Sequence, residues 1–215
     1  MNLVKSIGMI PAFCVMLCAG ISNAAPVTIE NGGFEQAGFF TSPFMTFAAG
    51  SGGIGGWLID GAGVDHIANY WDASEGTYSL DLNADAAGSV SQEIENLTIG
   101  AEYRVMFDMA ANLNGGPAVK SLIASIGDYS GTFTYDGTGN TVSDMGWMSM
   151  WFLFTATETT ETLTFTGVGN SAYGAALDNV SIIQTPVPGT LLLFGTALGA
   201  LGIARSRRKR VKSAD

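Results

Sequence analysis

Apolar and polar residues alternate along much of the middle of the chain. Tyr103, Val105, Phe107 and Met109 are apolar around Arg104 and Asp108; Tyr78, Leu80 and Leu82 flank Ser79 and Asp81; Leu163 and Phe165 stand among threonines. A period of two sends successive side chains to opposite faces, so these segments are half-buried strands. Residues 90–94, 122–126, 132–135 and 177–183 supply further short strands. Turn clusters such as Asn114-Gly115-Gly116-Pro117 and Asp136-Gly137-Thr138-Gly139 separate them. Residues 147–154 are apolar on both parities, with Trp147, Trp151 and Leu153 on one face and Met148, Met150, Phe152 and Phe154 on the other. That pattern predicts a central strand buried from both sides. Gly56-Trp57 predicts a strand start with Trp57 in the core, and no amphipathic helix pattern appears. About eight or nine strands at this spacing predict an all-β sandwich of the jelly-roll kind.

Two apolar segments at the ends do not fit that pattern. Lys5 precedes an uncharged stretch over 7–21, and Ser22-Asn23-Ala24 offers the small residues that a signal peptidase reads. A helical signal peptide over 1–24 and an exported mature chain are therefore expected. Cys14 and Cys18 both lie inside it, and Leu17 before Cys18 argues against a lipoprotein site, so the exported domain has no thiol. At the other end, Pro186-Val187-Pro188 forms a stiff spacer before the uncharged residues 190–204. As a helix these span about 22 Å, against about 30 Å of hydrocarbon. Val187 can lengthen the span, and Arg205 and Arg207 can reach back to the interface. Arg205, Arg207, Arg208, Lys209, Arg210 and Lys212 should remain cytoplasmic, which puts the preceding domain outside. The expected organisation is a signal peptide (1–24), a sandwich domain (25–184) and a tail (185–215) with a transmembrane helix over 190–204 and a basic end over 205–212.

With the ends set aside, the charge becomes one-sided. Between residues 25 and 204 there are 18 Asp and Glu against Arg104 and Lys120 alone, a balance of −16. Nucleic acid, which demands a basic surface, is excluded as a partner; divalent cations and neutral polymers fit. Catalytic motifs are scarce. There is no Gly-x-Ser-x-Gly elbow, and His66 is the sole imidazole. The glycine-rich run 50–56 lacks the lysine of a phosphate loop. Hydrolysis of glycosides by two carboxylates stays open, since Asp65, Asp72, Glu75, Asp81 and Glu93 are all available.

Two resemblances bear on these readings. The spacer, apolar run and basic block resemble the tripartite tail of PEP-CTERM proteins, which implies a transient membrane anchor and an exosortase-like sorting peptidase as partner. Val187 stands where that signal has glutamate. In the domain, Asn31-Gly32-Gly33-Phe34-Glu35, Gly56-Trp57, Val64-Asp65, Tyr70-Trp71, Glu75-Gly76, Leu80-Asp81-Leu82-Asn83, Ser91-Gln92, Gly115-Gly116-Pro117, Gly146-Trp147 and Ala176-Leu177-Asp178-Asn179-Val180 follow the order of the choice-of-anchor C family. The resemblance implies a galactose-binding-like jelly roll related to carbohydrate-binding modules. It further implies a structural Ca2+ shared by Glu35, after the first strand, and Asp178, on the last. Strand parity agrees: if Val180 and Ile182 face the core, Asp178 turns inward and needs a cation or strong donors.

Sugar recognition calls for rings beside amide, carboxylate or imidazole groups. His66, Asn69, Tyr70 and Trp71 meet that need in one glycine-rich region, with Asn112 and Asn114 on a loop able to approach. The sequence thus points to an exported, non-catalytic protein, transiently anchored and then held at the cell surface or released, that binds polysaccharide. The alternatives are a self-associating structural matrix protein without a sugar site and a small glycoside hydrolase.

Overall fold

The computed structural model describes residues 26–38 and 42–186. The expected signal peptide and the segment from 187 onward lie outside the described residues. Eleven strands form: β1 (Phe44–Phe47), β2 (Leu58–Gly61), β3 (Val64–Ile67), β4 (Ser79–Asp81), β5 (Gly88–Ile94), β6 (Glu102–Ala111), β7 (Val119–Ile126), β8 (Tyr129–Asp136), β9 (Met148–Thr155), β10 (Glu161–Gly167) and β11 (Ala175–Gln184). They make one sheet in the order β1-β3-β4-β11-β6-β9 and a second in the order β2-β5-β10-β7-β8. All pairings are antiparallel. From β4 onward the chain crosses repeatedly between the sheets, the jelly-roll arrangement expected from the spacing of strands.

Alternation becomes packing where the two inner faces meet. Tyr103, Val105, Phe107 and Met109 of β6 are all buried, as are Leu163 and Phe165 of β10. Phe165 lies 5.0 Å from Phe107 in an edge-on contact and 6.5 Å from Trp57. Trp57 is buried, as expected, and its indole N–H reaches the Asn31 carbonyl at 3.0 Å. Tyr129 of β8 stacks on Phe152 of β9 at 4.2 Å, bridging the sheets at one side.

Two expectations need correction. Residues 147–154 form no central strand: β9 ends its sheet, and Trp151 is 56% exposed. Of the inward row, Phe152 and Phe154 are buried while Met148 is 53% exposed, and among the described residues nothing covers Trp151 on the opposite row. The parity inferred for Asp178 is also reversed. The β6–β11 register shifts between Asp178 and Ser181, with Asn179 at φ 51°. That bulge leaves Val180 and Ile182 buried while Asp178 pairs with Asp108 on the outer face of the sheet. Asp178 is buried all the same, because the loop before β4 lies over it.

Candidate functional site

The outer face of the six-stranded sheet is divided in two by the loop between β3 and β4. Over β3 and β4 the loop lies close. His66 has no accessible surface: it faces inward from β3, stacks on Tyr78 at 4.8 Å, and its Nε2 donates to the Phe34 carbonyl at 2.8 Å. Burial lowers its pKa first of all, against the raising effects of that carbonyl and of Glu35. Trp71 is buried as well and donates to Ser79 Oγ at 2.9 Å. Of the four expected ligand contacts, then, Asn69 is exposed and Tyr70 half-buried beside Phe44 (5.6 Å), while His66 and Trp71 are walled in. Asn112 turns instead to Asp81, with its Nδ2 at 2.7 Å from Oδ2.

Glu35, early in the chain, and Asp178, on the last strand, hold one loop between them. Glu35 Oε1 accepts from the backbone N–H of Thr77 (2.8 Å) and Tyr78 (2.9 Å). Asp178 Oδ2 accepts from Ser74 (2.8 Å) and Glu75 (3.0 Å), and its Oδ1 from Asn179 (2.7 Å). Burial raises the Asp178 carboxyl to about 7, with help from the neighbouring Glu75 charge and despite three backbone donors. Carboxylate and carbonyl oxygens are the donors that a hard cation takes, and the buried Asp178 carboxylate, held by backbone N–H groups with no cationic side chain among its hydrogen-bond partners, is of that kind, so the chemistry of the residues fits Ca2+. Among the described residues, no three acidic or imidazole side chains converge on one metal-sized point. A cation here would complete its shell with carbonyls and water.

The other half of that face is open. Across β9, β6 and β11 its outward rows are Ser149-Trp151-Leu153, Asp108-Met106-Arg104 and Ser181-Ile183. Trp151 is 56% exposed and Ile183 48%. The Arg104 guanidinium carbon sits 5.0 Å from the Trp151 ring centre, close enough for cation–π attraction. One end of the platform is fixed by Asp108, which accepts from Ser149 Oγ (2.6 Å), Ser74 Oγ (2.7 Å) and Asn179 Nδ2 (3.0 Å). Trp147 donates to the Asp72 carbonyl at 2.9 Å, anchoring the loop that bounds the platform. At ordinary strand spacings the surface is about 10 Å by about 13 Å. Sequence reasoning missed it. The signal was the row Ser149-Trp151-Leu153-Thr155, a ring set among hydroxyls on the parity opposite the phenylalanines.

A separate cavity of about 540 Å³ opens beside β2 and β5, lined by Glu30, Leu58, Gln92, Glu93, Glu95 and Thr162 among others. No aromatic ring lines it.

Residues 27–183 match the family model described as "Protein of unknown function (DUF642)", where the ordered motifs pointed to choice-of-anchor C. The chain is 30% identical over 179 residues to Halomucin of Haloquadratum walsbyi, a match that takes in 81% of this chain and 2% of Halomucin. Among solved structures, TmCBM61 in complex with beta-1,4-galactotriose has a TM-score of 0.45 at 19% identity, covering 73% of this chain and 97% of that one. A family 35 carbohydrate binding module from Clostridium thermocellum gives 0.45 at 11% identity, with coverage of 67% and 100%. The CBM22-1 xylan-binding domain from Paenibacillus barcinonensis Xyn10C gives 0.43 at 14%, with coverage of 67% and 95%.

Proposed function

The chain belongs to the DUF642 family, and we propose that it is a non-catalytic polysaccharide-binding protein whose ligand lies across β9, β6 and β11. The observation that carries this reading is Trp151, held on an uncovered sheet face with more than half its surface in water. A pyranose presents a face of C–H groups that stacks on an indole, while its hydroxyls need polar partners around the rim. Arg104, Ser149 and Ser181 stand in those positions, with Asn179 beside them donating to Asp108. The ligand is a neutral glycan: Glu102 shares the face with Arg104, and the acidic balance of the domain repels polyanions.

In this reading the domain is exported, and residues 185–215 serve as a PEP-CTERM-like sorting tail, in which Pro186, Pro188, Arg205, Arg207 and Arg208 are read by the sorting machinery. Signal peptidase and an exosortase-like peptidase are then its processing partners. The protein ends at the cell surface or outside the cell. Intact masses of secreted and membrane fractions test this, since an untrimmed full-length chain in the cytosol would exclude it. Ca2+ held by Glu35 and Asp178 would tie the first described segment to the last strand by supplying the positive charge their loop lacks.

Affinity electrophoresis or calorimetry of the full chain against soluble neutral glycans tests the platform. Trp151→Ala should weaken binding at least about tenfold, the loss of about 1.4 kcal/mol that one stacked ring contributes. Unchanged affinity would remove Trp151 from the site. Absence of glycan binding together with concentration-dependent assembly would favour the structural matrix reading, and release of reducing ends would favour a hydrolase.

A further inference from the structure

A buried carboxyl group outside the proposed glycan platform lies where β4 meets the loops after β6 and before β11. Asp81 has no accessible surface. Its Oδ1 accepts from the backbone N–H of Asn83 at 2.9 Å, and its Oδ2 from Asn112 Nδ2 at 2.7 Å. The Gly174 N–H is shared, 3.1 Å from Oδ1 and 3.4 Å from Oδ2. Two residues on, Asn83 is equally buried. Its Nδ2 donates to the Ser171 carbonyl at 2.8 Å, yet its Oδ1 receives no hydrogen bond. A buried amide oxygen left without a donor is an expensive omission.

The two oxygens lie on the same side of Gly174, no more than about 5 Å apart. A Cβ at Gly174 would collide with Asp81 Oδ1 and stand 2.6 Å from Asn83 Oδ1, so both flank the same bare Cα. A carboxylate shut off from water and an acceptor lacking a donor, both facing Gly174, are both remedied by a single proton. We infer that folded Asp81 is the neutral acid and donates its O–H to Asn83 Oδ1, so that a proton fastens the loops carrying Asn112 and Gly174 to β4. The shared Gly174 N–H then moves wholly to Oδ2, and no donor is lost.

The charged groups around this site pull in both directions. Asp65 of β3 is the register partner of Asp81, and its negative charge opposes ionisation. Lys120 of β7 is buried and donates to the Gly115 carbonyl at 2.8 Å; burial lowers its pKa, against the raising effect of the Asp81 charge. Burial outweighs the hydrogen bonds and puts the Asp81 carboxyl at about 7 against an ordinary 3.8. A carboxyl raised on folding binds its proton more tightly in the native state. The resulting stability is complete below about 3.8 and is lost as pH rises toward 7.

Thermal unfolding of the full-length chain and of Asp81→Asn, each at pH 5.5 and 8.5, reads this directly. The variant cannot ionise at position 81, and the other titratable groups, Asp178 among them, are common to both proteins and cancel. The melting temperature of the wild type relative to the variant should fall by about 5 °C between the two pH values. A difference that stays constant with pH would overturn the inference. Carboxyl 13C NMR of the wild type gives an answer even if the variant does not fold: a titration midpoint for Asp81 between pH 6 and 8 supports the shared proton, and one below pH 5 refutes it.

Discussion

Removal of the Asp108 carboxylate is the sharpest test of how the open face is built. Asp108 is 7% exposed and ties three separate pieces to β6: Ser149 of β9 at 2.6 Å, Asn179 of β11 at 3.0 Å, and Ser74 of the covering loop at 2.7 Å. Each is a hydrogen bond to an acidic side chain, but the hydroxyls stand near water and can find new partners. About 1 kcal/mol apiece is therefore a better figure than the 1.5–3 kcal/mol of a sealed site. Asp108→Ala should cost about 3 kcal/mol, which for a domain of this size lowers the melting temperature by about 6–12 °C. One effect works the other way, since removing an acid from a domain with a −16 balance relieves repulsion. That relief is screened beyond about 8–10 Å and comes to a few tenths of a kcal/mol at most. Glu93→Ala, an exposed acid on the other sheet, isolates it and should change stability by less than about 0.5 kcal/mol. Urea unfolding at neutral pH is the assay, with a cycle through Ser149→Ala expected to show about 1 kcal/mol of coupling. If Asp108→Ala and Glu93→Ala prove equally mild, the network does not fix this face.

Three further outcomes follow from named contacts. Gly32→Ala should destabilise by about 1–3 kcal/mol, because its Cβ would meet the Val180 carbonyl oxygen and neither backbone has room to yield; equilibrium unfolding checks it. Saturation with Ca2+ at about 100 times the dissociation constant should stabilise by about 2.7 kcal/mol, and EDTA should reverse the gain. Glu35→Ala and Asp178→Ala should each abolish that response; a melting temperature indifferent to Ca2+ in the wild type would remove the metal from the account. Trp151→Ala should leave unfolding within about 0.5 kcal/mol of wild type, since the ring is mostly solvated, so that any lost glycan binding reflects the missing platform.

The first strands show where local pattern loses its force. β1 and β3 have four residues each, and β3 has buried residues at Val64, His66 and Ile67, so no clean alternation announced them. His66 and Trp71 were drawn into a ligand site because rings and amides cluster there in sequence. The loop that carries Trp71 folds down onto the sheet and buries the indole, while His66 points into the core from a paired strand.

Taken alone, the amino-acid order determined what depends on neighbours along the chain: strands with period two, the turns between them, the sandwich class, and a core built from Trp57, Tyr103, Phe107 and Phe165. It also determined the acidic balance, which no folding alters. Tertiary structure alone decided which strand would end a sheet, and so that Trp151 faces water while Phe152 does not. It decided as well, through one bulge, that Asp178 would lie on the outer face beneath a loop some hundred residues earlier in the chain. The physical reason is that the side-chain direction follows from local backbone geometry, whereas exposure depends on what distant segments bring to cover each face.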